Sequence, residues 1–118
     1  MSALSDYLEA ALNNHVLGGG DYTRPGTVHI GLFTAVSSGE TPSVTEVSGN
    51  GYTRSSVTNN STNWPAATSG TGVKANGTAI TFPTASGSWG TVTHFGIYDA
   101  SSGGNLLYYG ALTTSRAV

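Results

Sequence analysis

Two runs of β-branched and aromatic residues form the clearest hydrophobic pattern in the chain. They cover residues 89–100 and 105–112, and the Gly- and Ser-rich segment 101–104 separates them. Runs of this composition on either side of a turn predict a β-hairpin. Alternation along the first run places apolar residues on both faces, Phe95 with Ile97 and Val92 with Tyr98. We therefore expect this hairpin to be the structural centre and to be covered on both sides, by a second sheet, a helix or a neighbouring chain.

The first part of the chain has apolar residues at helical spacing. This pattern predicts one amphipathic α-helix over Ala3–Leu17, with Ser2 as its N-cap and the three glycines 18–20 at its end. The apolar stripe consists of Leu4, Tyr7, Leu8, Ala11, Leu12 and His15. Such a stripe normally packs on its own domain, but the glycine hinge also allows it to dock on a neighbouring subunit. Leu4, Leu8 and Leu12 are therefore candidate interface residues.

Shorter patterns predict the remaining strands. We expect strands at Thr27–Thr34, Tyr52–Thr58 and Thr78–Phe82, and an edge strand at 43–47. Gly49-Asn50-Gly51 predicts a tight turn, and Asn59–Gly77 is a long polar loop. The fold class is mainly β, an antiparallel β-sandwich or jelly-roll-like domain with one N-terminal amphipathic helix. Residues 1–20 form the helix and hinge, and residues 21–118 form the β domain as a single structural unit.

Composition supports a β domain and excludes several functional classes. Gly, Ser and Thr make up 49 of the 118 residues, whereas charged residues are only 8%. A net charge of −2 with dispersed cations argues against nucleic-acid binding. The absence of Cys excludes disulfides and thiolate chemistry. No apolar run is long enough for membrane insertion, and residues 1–17 do not resemble a secretory signal.

The residues that commonly carry catalysis are not clustered in the sequence. His15, His29 and His94 have no second ligand at metal-binding spacing. Glu40 and Glu46 share one loop, where we expect solvated carboxylates rather than a catalytic pair. No nucleophile motif is present. We therefore predict a protein that is not an enzyme and that needs no metal or cofactor.

Aromatic residues are the better candidates for contacts with partners. Trp64 lies in the long loop, where it is either a binding anchor or a plug on the core. Tyr108 and Tyr109 point to opposite faces of one strand, so at least one can reach a surface. His94 and Tyr98 share a face of the hairpin and are candidates for packing in the core or an interface.

The same runs carry a family resemblance. The segment Trp89–Ala100, Gly-Asn-Leu-Leu at 104–107 and Gly-Ala-Leu-Thr-Thr-Ser at 110–115 resemble small tailed-bacteriophage proteins that are commonly described as tail fibre proteins. The opening Met-Ser-Ala-Leu-Ser-Asp-Tyr-Leu-Glu, Asn14–Leu17 and Gly-Tyr-Thr-Arg at 51–54 match as well. The resemblance covers most of the chain except the loops at 35–47 and 59–77. These signatures indicate kinship rather than a chemical mechanism.

The resemblance implies a structural protein of the virion, associated with the tail or its fibres and made in the host bacterial cytoplasm. The expected partners are copies of the same chain, with a trimer favoured by analogy, and other virion proteins. Two alternatives stay open at this point. One is capsid decoration on the exterior of the phage head, and the other is a module that binds a host-surface saccharide or protein through Trp64. The relatives extend about one strand further, so the natural chain can continue past Val118.

Overall fold

The fold is a single antiparallel sheet with one helix at its start. The computed structural model describes residues 2–68, 70 and 74–118. The elements are β1 Ser2–Leu4, α1 Asp6–Val16, β2 Thr27–Ser38, β3 Ser43–Glu46, β4 Ser55–Thr58, β5 Thr91–Tyr98 and β6 Leu106–Ala117. The six strands of the described residues are joined in the order β1-β6-β5-β2-β3, and β4 also pairs with β2. The prediction of a mainly β protein with an N-terminal helix is confirmed.

The predicted hairpin is the centre of the sheet. β5 pairs with β6 on one side and with β2 on the other, so both of its edges carry backbone hydrogen bonds. Asp99 begins the connecting turn, where its carboxylate accepts hydrogen bonds from the backbone N–H of Asn105 at 2.7 Å and from the Asn105 amide at 3.0 Å. This is the local Asp-to-backbone bonding that favours turns.

The strands form one sheet rather than two facing sheets because β2 is long enough to pair with two strands along the same edge. Its first four residues pair with β4, and residues from Phe33 to Ser38 pair with β3. Between them, the N–H of Leu32 donates a 3.0 Å hydrogen bond to the hydroxyl of Tyr52. A side chain thus fills the gap between two strands, and the expected strand over Tyr52–Thr58 shortens to β4.

Irregular segments, rather than a second sheet, cover part of the core. Trp89, Val47 and Val92 form one buried cluster, and the partly buried side chains that pack on it are Leu32, Tyr52, Phe82, Ala85 and Leu112. Phe82 belongs to the segment predicted as the strand Thr78–Phe82, which has no regular strand pairing in the structure. Its Thr81 carbonyl accepts a hydrogen bond from the Ser55 hydroxyl at 2.8 Å instead.

The turn at Gly49-Asn50-Gly51 is confirmed and holds this covering segment. All three residues have positive φ, which two glycines and an asparagine adopt at little cost. The Asn50 carbonyl accepts hydrogen bonds from the indole N–H of Trp89 and from the backbone N–H of Ser86, both at 2.9 Å. The turn therefore positions the large ring that fills the cluster.

A second buried cluster consists of Phe33, Tyr98 and Leu106, and the side chain of Phe33 has no exposed surface. The rings of Phe33 and Tyr98 meet edge to face, with centroids 6.2 Å apart. Gly96 lies between them in the sheet, and a Cβ atom there would lie 2.6 Å from the Phe33 ring. The close packing explains why the central strand carries a glycine at this position.

The helix begins later than the sequence pattern predicts. Residues 2–4 form β1, which pairs with β6 at the edge of the sheet, so the expectation of Ser2 as N-cap is wrong. Ser5 is the cap: its hydroxyl accepts a 3.3 Å hydrogen bond from the N–H of Leu8 and donates one of 2.5 Å to the Leu106 carbonyl. Pairing with a distant strand outweighs local helical propensity here. None of the described helices reaches the length and apolarity that a bilayer span requires.

We predict that Leu8→Ala lowers the free energy of unfolding by about 2–5 kcal/mol, because Leu8 is the one helix side chain that is fully buried. Leu12→Ala is the matched control and should cost less, since Leu12 is only partly buried. Denaturant unfolding followed by tryptophan fluorescence measures both. Equal losses would contradict the placement of Leu8 as the anchor of the helix.

Candidate functional site

The structure separates the predicted contact residues into buried and exposed groups. Leu8 and Tyr98 are 3% and 6% exposed and belong to the core, so neither is available on the surface of the monomer. Tyr109 is partly buried and packs against the Phe33 cluster and directly on Gly39. Tyr108, its neighbour on the opposite face, is 40% exposed.

The other predicted contact residues are partly buried and lie in the sheet, the helix and the long loop. Leu4 lies in β1 and pairs directly with Tyr108 of β6, so the two share a face. Leu12 is partly buried in α1, and Trp64 is partly buried in the long loop. His94 pairs with Phe33, and its Nδ1 lies 2.7 Å from the Thr93 hydroxyl. The structure therefore brings Leu4 and Tyr108 together and leaves Trp64 in a different place.

The apolar stripe of α1 runs from the core into solvent. Leu8 is buried at one end of the stripe, Leu12 is partly buried, and Val16 is 73% exposed. These residues are four apart and occupy the same side of the helix. Leu17, which follows the helix, is 82% exposed. Leu12 is thus only partly covered, and Val16, which extends the stripe by one turn, is largely uncovered by the described residues.

A tyrosine surface adjoins the start of the helix. Tyr7 and Tyr108 are 44% and 40% exposed. Burial raises the pKa of Tyr22, and the neighbouring Tyr7, Asp99 and Tyr108 raise it further, which places Tyr22 beside the same surface. The N–H of Tyr22 donates a 3.1 Å hydrogen bond to His15 Nδ1 and so ties the segment after the glycines back to the helix.

Arg54 is the centre of the most connected polar cluster. Its guanidinium donates two hydrogen bonds to the Glu46 carboxylate, at 2.9 and 2.8 Å, in the paired geometry that favours arginine. Its remaining nitrogen donates to the carbonyls of Ala100 and Gly103, at 2.9 and 2.8 Å. The guanidinium carbon also lies 3.5 Å from the centroid of the Tyr98 ring. This cluster joins β3 to the hairpin turn and to the core.

The electrostatics of the cluster follow from these contacts. Burial raises the pKa of the Glu46 carboxyl, but hydrogen bonds from Arg54 and Tyr52 and the charge of Arg54 outweigh burial, and the net pKa lies below the ordinary value. Burial and the hydrogen bond to Glu46 raise the pKa of Tyr52 strongly, so its hydroxyl stays protonated and donates at 2.6 Å. Glu46 is thus held by one ionic partner, Arg54, and by the neutral hydroxyl of Tyr52, and the expectation of a solvated carboxylate is wrong for this residue.

A group of three acidic side chains lies near the start of α1. Carboxylate oxygens of Asp6, Glu9 and Glu40 lie within 4.8 Å of one another, a spacing that a hard cation could bridge. The charge of Glu40, followed by burial and Asp6, raises the pKa of Glu9. Asp6 and Glu9 are exposed, and both also lie in the first turn, where the helix dipole favours negative charge. The arrangement needs no ion to account for it.

A surface cavity of about 430 Å³ lies beside the loop that carries Trp64. It is lined by Arg24, Asn59, Asn60, Ser61, Trp64, Ala66 and Lys74. The indole N–H of Trp64 is buried and has no acceptor in the part of the chain that the structure describes. The cavity therefore combines one aromatic ring, two cations and several amide and hydroxyl groups.

Hydrogen bonds build the loop on this side of the cavity. The backbone N–H of Trp64 donates to the Asn60 carbonyl at 2.9 Å, and the backbone N–H of Asn63 donates to the Asn60 side chain at the same distance. The Asn59 amide donates to the Pro25 carbonyl at 2.8 Å and so ties the loop to the segment before β2. Gly77 closes the loop through a 2.7 Å hydrogen bond to Asn63.

Sequence reasoning missed the Arg54 cluster and the cations of the cavity. Arg24 and Lys74 are separated by 50 positions, and Glu46 lies in a stretch without clear periodicity. The resemblance did include Gly-Tyr-Thr-Arg at 51–54, which supplies both Tyr52 and Arg54. This short motif was the available signal, although it gave no indication of the partners.

We predict that Arg54→Met lowers the free energy of unfolding by about 2–4 kcal/mol, because it removes the counter-ion of Glu46, leaving only the Tyr52 hydroxyl as its donor, and removes the side-chain donor of two turn carbonyls. Arg54→Lys is the matched control and should give an intermediate loss, since lysine keeps the charge but not the paired geometry. Thermal or denaturant unfolding measures the series. A Met variant as stable as the parent would contradict the structural role of the cluster.

The pH dependence of stability tests Glu46 separately. Because its folded pKa is lowered, its contribution is present above its unfolded pKa, near the ordinary value of 4.5, and is lost as pH falls through the folded pKa. We therefore expect the parent to lose stability relative to Glu46→Gln as pH is lowered below about 4.5. Comparison of the two proteins removes the contributions of the other carboxylates. Parallel pH profiles would refute the assignment.

Comparison with known proteins identifies the family of the chain. No curated protein matches the sequence. A family model described as podophage GP4 fiber I protein gp80 matches residues 3–118, which include every strand and the helix apart from Ser2 at the start of β1. The match confirms the resemblance drawn from the hairpin and from the start of the chain. The chain therefore belongs to this family of fibre proteins of tailed-phage particles.

Proposed function

We propose that this protein is a non-enzymatic structural subunit of a phage tail fibre and that it assembles with copies of itself through the uncovered part of α1. The family match supports the fibre role over capsid decoration. Copies of the chain and neighbouring virion proteins are its partners in this proposal. The function is to hold a defined position in the fibre through contact surfaces rather than to transform a substrate.

The exposed end of the helix stripe carries the self-association proposal. Val16 is 73% exposed although it lies on the same side of the helix as the buried Leu8, and Leu17, which follows the helix, is 82% exposed. Burying such side chains contributes about 1.5–3 kcal/mol each. A second copy that supplied an apolar surface here would cover the stripe along its whole length.

Tyr108 provides the contribution of the hairpin to this contact. It belongs to a cross-strand row with Leu4 on one side and Ile97 on the other, and Ile97 pairs in turn with Ile30. Ile30 is 5% exposed, whereas Tyr108, which lies between Ile97 and Leu4 in the row, is 40% exposed. Tyrosine is enriched at interfaces because it contributes a large apolar area with little rotamer entropy. Tyr109 is partly buried against the Phe33 cluster, so Tyr108 is the more accessible of the two tyrosines.

The distribution of reactive groups supports a non-enzymatic role. His29 and His94 contact a serine and a threonine, respectively, and neither belongs to the one acidic group that forms among the described residues. The partly buried carboxylate of Glu46 is engaged by Arg54 and Tyr52. A hydroxyl thus lies beside each of the two imidazoles, but neither imidazole has a carboxylate partner among the described residues to complete a catalytic triad.

We predict that Val16→Lys converts the oligomer to a monomer without changing the melting temperature of the monomer. The side chain is exposed in the monomer, and a lysine at the C-terminal end of a helix is compatible with the dipole. Sedimentation equilibrium over a range of concentrations measures the association, and it also measures whether three copies assemble. Tyr108→Lys should weaken the same association.

Ala10→Lys is the matched control, because Ala10 is an exposed helix position that lies away from the stripe. It should leave the assembly intact. The proposal of self-association fails if the parent remains a monomer at every concentration. It also fails if Ala10→Lys and Val16→Lys have the same effect on assembly.

A further inference from the structure

We infer that the cavity beside Trp64 binds a saccharide that carries a negatively charged group, either a carboxylate or a phosphate. The site is formed by Arg24, Lys74, Trp64 and the amides of Asn59 and Asn60. It shares no residue with the helix surface proposed for self-association, so the inference stands independently of that proposal.

Charge is the first argument for the ligand class. The chain carries six acids and four cations, yet the cavity is lined by two of the cations and by none of the acids. Arg54 is held by Glu46, whereas neither Arg24 nor Lys74 has an ion-pair partner among the described residues. A site with this lining attracts an anion even though the net charge of the protein is negative.

The aromatic ring and the amides favour a sugar over a simple anion. Trp64 supplies an extended apolar face, on which the C–H groups of a pyranose ring can pack. Each asparagine amide can make up to four hydrogen bonds. Asn59 uses its amide nitrogen to donate to the Pro25 carbonyl, and Asn60 uses its amide oxygen to accept from the N–H of Asn63. The remaining groups suit the paired donor and acceptor character of sugar hydroxyls.

The volume and the construction of the cavity are those of a preformed site. About 430 Å³ lies in the range of cavities that hold small ligands. The part of the loop from Asn60 to Trp64 is held by hydrogen bonds to Asn60, and Gly77 is held by a hydrogen bond to Asn63. A Cβ at Gly77 would lie 2.9 Å from the Pro65 ring, so the end of the loop packs tightly on the residue that follows Trp64. Binding then requires little ordering of the backbone.

A second cavity, of about 310 Å³, provides a useful contrast. It lies between β4 and the segment Thr78–Thr81 and is lined by hydroxyl, amide and aliphatic groups, with no charged or aromatic side chain. It lacks both features on which the inference depends. The cavity beside Trp64 is therefore the one that we assign to a charged saccharide.

Titration calorimetry of the whole chain tests the inference with defined probes. A galacturonate oligosaccharide represents the carboxylate class, and glucose 6-phosphate represents the phosphate class. A neutral galactose oligosaccharide, glucose and inorganic phosphate are the controls. We expect at least one of the two charged sugars to bind, and to bind at least about tenfold more tightly than its neutral counterpart and than inorganic phosphate. The affinity should fall as salt concentration rises.

Substitutions then locate the binding. Arg24→Gln, Lys74→Gln and Trp64→Ala should each weaken the charged sugar about tenfold or more, since each removes a charged hydrogen bond or the packing face. Arg116→Gln is the matched control, because Arg116 is an exposed cation outside the cavity, and it should leave the affinity unchanged. Unchanged melting temperatures establish that each variant is folded.

Each remaining outcome overturns the inference. Equal affinity for charged and neutral sugars would show that the two cations do not select the ligand. Inorganic phosphate that binds as tightly as the sugars would show a bare anion site. No binding of either charged sugar at about 10 mM, or an equal loss in Arg116→Gln, would show that the cavity is not the site.

Discussion

The ionic contact between Arg54 and Glu46 is the centre of a cluster that joins the end of β3 to the hairpin turn and to the core. Arg54 has a side chain that is only 8% exposed, and a charge so far from water is stable only when its donors have partners. Here the partners are the carboxylate at the end of β3, two carbonyls of the hairpin turn and the face of the Tyr98 ring. A single side chain thereby joins the turn and the sheet edge to the core.

Such an arrangement suits a domain with few charges. Only 8% of the residues are charged, so surface ion pairs contribute little to the fold, and the one strongly engaged pair is placed where burial strengthens it. The helix end and the Trp64 cavity are two surfaces outside this pair, the first apolar and the second lined by Arg24 and Lys74, and they use different residues. A fibre subunit can therefore be varied at one of them while the other and the core stay intact.

The sequence predicted what depends on local patterns and missed what depends on distant pairing. The hairpin and the helix were recognised because alternation and helical spacing are properties of neighbouring residues. The helix start was misplaced because Leu4 pairs with Tyr108, more than a hundred positions away, and no local pattern shows this. Apolar residues on both faces of β5 indicated two covers but not their nature, and irregular segments around Trp89 supply part of what a second sheet would have provided. The partners of Arg54 were missed for the same reason as β1.

The pairing of the first strand with the last has a consequence for the order in which the molecule folds. The hydroxyl of Ser5 bonds to the carbonyl of Leu106, and the N–H of Ser5 bonds to the carbonyl of Leu107. During translation, the ribosome releases the helix long before it has made either of these acceptors. The early segment must then remain unattached until residue 107 has emerged, and closure across so many residues is intrinsically slow. Docking of α1 is thus a late folding event, and its stripe stays exposed to other nascent copies throughout that interval.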